Sequence, residues 1–385
     1  MKKVALAAVH WKHNHGSMLQ SLALQQALTE MGIDNEIIDM TSLRSEIKRN
    51  RFTYYLGQSF KLSFIQAKLG HVKFDLFYKK RIPGLDIRKK NFQDFESRFI
   101  LSPRYNSMAA LTQACENYTH VMVGSDQLWL PSNLAGNYYT LNFVPDNIPR
   151  ISYATSFGLA EIPKKYRKKY QNFLGRINHL SVREDSGKQI IKSLIGKDAQ
   201  VICDPTLLFD REGWSRLIPQ EEIIPANYIF CYFLGGNTRH REFVNELKRQ
   251  TGLSIAAMIH MEEYHSCDDK FADYPITDAG PCEFVNLMRG ATYVCTDSYH
   301  GTVFSIIHRK DFWTFKRHSD NSAMSTNTRI SSLLGKLGIA ERYLTGTENV
   351  EKQKTIDYSE AAVRLQLQRE EAVQFITNAL DVCDG

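Results

Sequence analysis

Apolar residues in this chain fall in short runs that alternate with segments of helical spacing. The run K-V-A-L-A-A-V (3–9) predicts a continuous apolar strand, followed by the polar loop H-W-K-H-N-H-G-S. Leu19, Leu22, Ala23, Gln26, Ala27 and Met31 then recur at helical intervals, so a helix is predicted over 18–31, ended by Gly32. N-E-I-I-D-M (35–40) predicts the next strand. Strand, loop, helix, strand is the unit of a parallel sheet covered on both faces.

The unit recurs. H-V-M-V-G-S-D (120–126), I-S-Y-A-T-S-F (151–157), H-L-S-V-R-E-D (179–185) and A-Q-V-I-C-D-P (199–205) read as strands, with a helix over 186–194. The segment 210–224, with Pro219 inside it and Pro225 after it, reads as a hinge. A second series follows: strands at 228–236, 253–259, 292–297 and 311–315, and helices over 239–250, 282–289 and 302–308. A long amphipathic helix over 358–382 closes the chain. Two such series predict an α/β protein of two doubly wound, Rossmann-like domains facing each other across a cleft. The expected division is 1–210, then 211–355, then a terminal helical segment 356–385 that could return to the first domain.

Length agrees with this division, because 385 residues exceed the ~100–200 typical of a single core. No apolar run approaches the ~18 residues of a membrane-spanning helix, and the N-terminal run, from Val4 to Val9, is too short for a secretory signal. The seven cysteines are scattered without a C-x-x-C pair, which fits buried thiols in a reducing compartment better than disulfides or a zinc site. A cytoplasmic location is expected.

Charge changes the picture in one place. The chain carries a net +6, yet 44–90 holds thirteen Lys/Arg against Glu46, Asp75 and Asp86. That local +10 leaves −4 for the remainder. Phe52, Tyr54, Tyr55, Phe60, Phe64, Phe74, Phe77 and Tyr78 are interleaved with the cations. The insertion at about 44–92 therefore reads either as helices with a solvated basic face or as a peripheral contact with an anionic membrane surface. Nucleic acid is not expected as a partner.

In open α/β sheets ligands bind beyond the carboxyl ends of the strands, so candidate chemistry is sought there. Asn14-His15-Gly16-Ser17 opens the first helix, where Gly16 permits close approach and free N–H groups suit an anion, or where Asn14 or Ser17 simply caps. His10, His13 and His15 have no carboxylate or cysteine beside them, and no metal is expected. Ser125-Asp126-Gln127 with Trp129 offers a base for a hydroxyl and a ring for a sugar face, or an Asx-turn beside a core tryptophan. Arg183, next to Glu184, suits bidentate recognition of phosphate or carboxylate, or a structural ion pair. In Thr296-Asp297-Ser298-Tyr299-His300-Gly301-Thr302, His300 stands in a polar turn before glycine and a helix, the place for a proton-transfer group. P-loop, simple dinucleotide-binding and nucleophile-elbow motifs do not occur.

Six segments taken in order, N-H-G-S-M-L-Q-S-L-A-L (14–24), V-G-S-D-Q-L-W (123–129), S-Y-A-T-S-F-G (152–158), S-V-R-E-D-S-G (181–187), D-P-T-L-L-F (204–209) and T-D-S-Y-H-G-T-V-F-S-I (296–306), resemble the polysaccharide pyruvyl transferase family. The resemblance runs from Val4 to about Tyr343. It implies a glycosyltransferase-B-like fold and transfer of a pyruvyl group from phosphoenolpyruvate, as co-substrate and without a cofactor. The acceptor would be two hydroxyls of a sugar in a bacterial surface polysaccharide or its lipid-linked precursor, closed into a ketal with release of phosphate. Carried over by position, His300 and Arg183 would contact the donor, with Ser298, Tyr299, Gly301, Thr302 and Arg329 around it in the second domain. Asp126 would meet the acceptor in the first domain, among Asn14, His15, Gly16, Ser17, Ser125, Gln127 and Trp129. Better-characterised relatives have an arginine two positions before the histidine, where this chain has Ser298. The anion contact is then either missing or supplied by another cation, for which Arg329, Lys316 and Arg317 are the candidates. Two other readings stay open: a nucleotide-sugar glycosyltransferase of the same fold, and a non-catalytic saccharide-binding protein.

Overall fold

The computed structural model describes residues 2–58, 74, 82–260, 263–317, 327–350 and 355–381. Two six-stranded sheets organise the chain. The first contains β1 (Lys3–Ala7), β2 (Asp34–Ile37), β3 (His120–Val123), β4 (Arg150–Thr155), β5 (His179–Val182) and β6 (Gln200–Val201) in the order β2-β1-β3-β4-β5-β6. The second contains β7 (Tyr228–Tyr232), β8 (Ser254–Met258), β9 (Tyr274–Ile276), β10 (Tyr293–Thr296), β11 (Asp311–Phe315) and β12 (Tyr343–Leu344) in the order β12-β11-β10-β7-β8-β9. Every pairing is parallel. Each sheet reverses direction once, between β1 and β3 in the first and between β7 and β10 in the second. Those reversals open a crevice at the strand ends, and the fold thereby fixes where a ligand fits. The two doubly wound domains expected from the alternating pattern are present.

The helices that position the site are α1 (His15–Glu30), α2 (Arg44–Gln58), α3 (Leu85–Glu96), α4 (Asp185–Ile195), α5 (Thr238–Thr251), α6 (Pro281–Gly290), α7 (Tyr299–Ile307), α8 (Asn327–Leu337) and α9 (Tyr358–Ala379). Helices α1 and α7 begin three residues before the apolar spacing predicts. Their first turns are polar, and each is held by a cap: the Asn14 side chain accepts from Ser17 N at 2.9 Å, and Ser298 Oγ accepts from Gly301 N at 3.4 Å. The predicted hinge is occupied by a packed helix, Arg211–Leu217. Its Trp214 is buried, lies 4.9 Å from the Phe304 ring and donates from Nε1 to Thr206 O at 2.9 Å. The segment therefore joins the core.

One apolar core runs through both halves, including Leu19 and Ile151 of the first, Phe230 and Phe284 of the second, and Phe375 of α9. Two smaller cores cover the outer faces of the two sheets. Helix α9 starts on the second half, where the Tyr358 hydroxyl donates to Lys310 O at 2.6 Å, and ends on the first, where Arg369 Nε donates to Leu207 O at 2.6 Å and Phe375 meets the Tyr153 ring at 6.5 Å. Of the basic insertion, α2, Phe74 and 82–92 are described, and 59–73 and 75–81 lie outside the described residues. Among the described residues no helix is long and apolar enough to cross a membrane.

Candidate active site

The crevice between the two reversal points is a cleft of about 710 Å³. Exits from the four strands that flank the reversals line it: Asn14, Gly16 and Ser17 after β1, Asp126 and Gln127 after β3, Leu234 after β7, and Ser298, Tyr299 and His300 after β10. Arg317 and Arg329 complete the wall of the second domain.

Asp126 reaches the cleft through a backbone turned to φ 84°, a region that aspartate tolerates better than most side chains. Its carboxylate accepts from Ser17 Oγ and, at 2.8 Å, from Gln127 N. Burial alone would raise this carboxyl group. The charges of Arg183 and His300 and the Ser17 hydroxyl outweigh burial and hold it below the ordinary carboxylate range.

His300 sits in the first turn of α7, 8% exposed, and its ring crosses to the first domain. A Cβ added to Gly16 would stand 2.0 Å from Nδ1, so only glycine at position 16 leaves room for the imidazole. On the other side Nε2 stands 3.8 Å from Asp204 Oδ2. Asp204 is fully buried and also accepts from Arg183 Nη1 and Ser125 Oγ, each at 2.8 Å, and from Thr206 Oγ1 at 2.7 Å. Burial opposes its ionisation, but these donors and His300 hold its carboxyl far below the usual range.

Arg183 lies one layer behind the cleft. Its guanidinium is pulled inward by Asp204 and lies 4.0 Å from both Glu184 Oε2 and Asp126 Oδ1, while its face covers the Tyr299 ring at 4.2 Å. Glu184 is buried too, accepting from Ser156 Oγ at 2.8 Å, and burial raises its carboxyl group. Arg329 approaches the same Tyr299 ring at 5.7 Å, but from the cleft. Burial first, and then repulsion from Arg183, push its guanidinium down to about 10, which leaves it cationic at neutral pH. The Nε atoms of Arg329 and Arg317 are buried without a hydrogen-bond partner among the described residues. Tyr299, whose hydroxyl burial pushes up, stays protonated between the two arginines. Cations and N–H donors that converge on one wall of a closed cleft form a site for a polyanion.

A family model for polysaccharide pyruvyl transferases matches residues 14–319. The chain belongs to that family. No curated protein matches the chain. Among solved structures, MnaA of S. aureus with UDP shares 11% identity over 99% of this chain and 98% of its own, with a TM-score of 0.52. UDP-GlcNAc 2-epimerases from Methanocaldococcus jannaschii (11% identity, 98% of this chain and 100% of that chain, TM-score 0.49) and Rickettsia bellii (8%, 99% and 97%, 0.49) are also similar. The likeness to MnaA is one of fold, the glycosyltransferase-B-like pairing of two α/β domains.

In this pyruvyl transferase family member the residues singled out in sequence separate into three groups. Asn14, Gly16, Ser17, Asp126, Gln127, Ser298, Tyr299, His300 and Arg329 meet at the cleft. Arg183, Ser125, Gly301 and Thr302 are buried behind it; Thr302 Oγ1 donates to Ser298 O at 2.9 Å, and a Cβ on Gly301 would strike Thr296 Oγ1. Arg183 is held behind the wall by the buried carboxylates of Asp204 and Glu184, with Asp126 on its cleft side at 4.0 Å. His15 and Trp129 are placed elsewhere. His15 wedges between the domains, its Nε2 3.0 Å from Ala279 O and its ring near Phe92 and Phe284. Trp129 is 1% exposed, packed between Phe157 and Phe173 with Nε1 donating to Tyr139 O at 3.0 Å, so its ring has no face for a sugar.

Ser298 serves as a cap, and of the three cations expected to replace an arginine there, Arg329 and Arg317 reach the cleft. Lys316 lies over the Tyr343 ring at 5.8 Å instead. Sequence reasoning missed Asp204 as a site residue, although it heads the D-P turn after β6, and it missed Arg51, which enters the cleft from α2. His10, His13 and His15 do not converge: His10 Nδ1 is 3.3 Å from Glu96 Oε1, and the His13 ring stacks on Phe92 at 4.9 Å. Among the described residues no group of three His, Cys, Asp or Glu side chains is placed to hold a metal ion.

Proposed function

We propose that this cleft transfers the pyruvyl group of phosphoenolpyruvate to two hydroxyls of a sugar, forming a pyruvate ketal and inorganic phosphate. The observation that carries the proposal is the position of His300, delivered by the donor-side domain against Gly16 of the acceptor-side domain, with Arg329 on its own wall and Asp126 opposite. The donor is a trianion, and a wall bearing Arg329, Arg317 and the Tyr299 hydroxyl suits its phosphate and carboxylate. Asp126, held ionised, accepts a hydrogen bond from an acceptor hydroxyl and orients it.

In the reaction His300 gives a proton to the methylene carbon, which becomes the ketal methyl. One sugar hydroxyl attacks the central carbon, the C–O bond to phosphate breaks, and the second hydroxyl closes the ring. Of the two hydroxyl protons released, one restores His300 and the other leaves on phosphate, so the charge of the donor is shared between the ketal carboxylate and hydrogen phosphate. Arg329 holds the charge that builds on the departing phosphate. The acceptor is a sugar of a bacterial surface polysaccharide or its lipid-linked precursor, and the enzyme works at the inner face of the membrane. Peripheral contact is supported by α2, where Phe52 is 60% exposed among Lys48, Arg49 and Arg51.

The nucleotide-sugar reading has less support. The backbone amides of Leu234 and Gly235, which follow β7 and would suit a diphosphate, already donate to the Asp297 carboxylate at 2.7 and 2.9 Å. Purified protein incubated with phosphoenolpyruvate and a lipid-linked oligosaccharide should release phosphate and give a product with the mass of a pyruvate ketal. A hexosyl mass increment from a nucleotide sugar, with no turnover of phosphoenolpyruvate, would replace this reading. Saccharide binding without turnover of either donor would point to a binding protein.

A further inference from the structure

A second pocket, of about 400 Å³, opens beside the cleft between α2 and the first domain. The two share Trp11, Lys12, Arg51 and Asn133, so one ligand can reach from the cleft into the pocket. Its volume lies in the range of roughly 300–1,000 Å³ typical of small-molecule sites. Met40, Ile47, Tyr138 and Tyr139 give it an apolar, aromatic floor. Its rim is cationic: Arg44, Lys48 and Arg51 come from one face of α2, at the i, i+4, i+7 spacing that aligns side chains, and Lys12 faces them from the loop after β1. The Arg44 guanidinium stacks on the Trp11 ring at 4.2 Å.

Three polar atoms here are buried without a hydrogen-bond partner among the described residues: Trp11 Nε1, Arg44 Nε and the hydroxyl of Tyr138, itself 1% exposed. An unsatisfied buried donor costs stability, and three donors around one pocket suit a ligand rich in acceptors. A neutral sugar does not call for four cations, and a hydrocarbon alone does not call for the donors. A nucleotide would need partners for base and ribose, whereas this floor is apolar and aromatic. An amphiphile with a diphosphate head and a hydrocarbon tail satisfies the rim, the donors and the floor together.

The surroundings agree. The next turn of α2 carries exposed Phe52, and Tyr54 lies 6.1 Å from Tyr166, which sits within the exposed run Lys164, Lys165, Arg167, Lys168 and Lys169. Two basic segments far apart in sequence thus form one cationic face beside the pocket, suited to the anionic surface from which a lipid carrier would be drawn.

We propose that this pocket binds the phosphate-proximal end of a lipid diphosphate, the carrier of the acceptor sugar, and so sets which sugar of the acceptor reaches His300. The inference rests on the cleft being the pyruvyl-transfer site. It commits the acceptor to a lipid-linked precursor, in preference to finished polysaccharide.

Geranyl diphosphate, a short lipid diphosphate that does not require detergent, is the probe, with inorganic pyrophosphate, geraniol and UDP as comparison ligands. Equilibrium binding to the full chain should favour geranyl diphosphate by at least tenfold over each of the three. Ile47→Trp, which fills the floor, should weaken geranyl diphosphate by at least tenfold while phosphoenolpyruvate binding is unchanged. Lys48→Glu, a surface change that does not disturb the core, should weaken both diphosphates and leave geraniol as it was. Equal affinity for pyrophosphate and geranyl diphosphate would sink the proposal, as would tight UDP binding lost in Ile47→Trp. Unaltered geranyl diphosphate binding in both variants would sink it too. Failure of phosphoenolpyruvate to bind the unaltered chain, with geranyl diphosphate still bound, would instead overturn the reading of the cleft.

Discussion

The two walls of the cleft use the same construction and present opposite chemistry. Each is a parallel strand running into a capped helix, β1 into α1 on one side and β10 into α7 on the other. On the first wall the helix start holds Ser17 against an ionised Asp126, a surface that accepts hydrogen bonds from hydroxyls. On the second, the same device holds His300 beside Arg329 and Arg317, a surface whose charge suits an anion. The helix ends alone do not decide what each wall binds, since both offer the same unpaired N–H groups. The side chains brought in from neighbouring segments decide it.

The sharpest test of that division is His300→Ala. Loss of a proton-transfer group should lower kcat by roughly 10²–10⁴-fold, measured as phosphate release under saturating donor by a variant whose circular dichroism shows the native fold. Persistent turnover would remove His300 from the chemistry.

Arg183→Ala separates the brace from the wall. It would leave Asp204 and Glu184 buried without their shared cation, and breaking a buried pair in this way costs about 3–5 kcal/mol. Urea unfolding should register that loss. A variant that is inactive yet fully stable would show that Arg183 acts on the donor directly.

Gly16→Ala tests the contact between the walls. The added methyl would displace the imidazole, and misplacing a reacting group by about 1 Å costs on the order of 10² in rate. Turnover should fall by that amount while donor binding persists.

Arg329→Gln should raise the KM for phosphoenolpyruvate by roughly tenfold, the worth of one charge-assisted contact of ~1.5 kcal/mol. Because Arg329 is buried near a like charge, the same change should leave the melting temperature equal or higher. A lowered melting temperature with an unchanged KM would make it a structural residue.

The last test concerns stability alone and two side chains outside the cleft. His10 of the first half and His240 of the second are buried, and burial pushes each imidazole down to about 4. The unfolded chain takes up these protons near pH 6.5 and the folded chain only near 4. Stability is therefore complete above about pH 6.5 and is lost as pH falls toward 4. Thermal melts of His10→Gln and His240→Gln over that window should each show a weaker pH dependence than the unaltered chain.

Much of this was legible in sequence, for stated reasons. Apolar runs of four to six residues marked the central strands because both faces of a parallel sheet are buried, whereas β9 (Tyr274–Ile276) and β12 (Tyr343–Leu344), short and at sheet edges, left no such run. Strand exits located Asp126 and His300 because doubly wound sheets bind ligands there. Sequence could not tell which exit residues turn inward. Trp129 follows Asp126 by three positions and looks equally suited to a sugar, but a small helix and the Tyr139 carbonyl take its ring into the core. Asp204 escaped notice because it lies one layer deep, where a carboxylate matters only through the groups it gathers.

His15 and His300 each cross between the halves, one bonded to Ala279 O and the other seated on Gly16, above a core shared by both domains. A molecule fastened in this way is a mould already shut. Swinging the halves apart would break these contacts and bare apolar surface, a cost that favours entry along the seam. An acceptor tethered to a membrane by a lipid leash would thread from the α2 side with its sugar leading, and the finished ketal would back out by the same route.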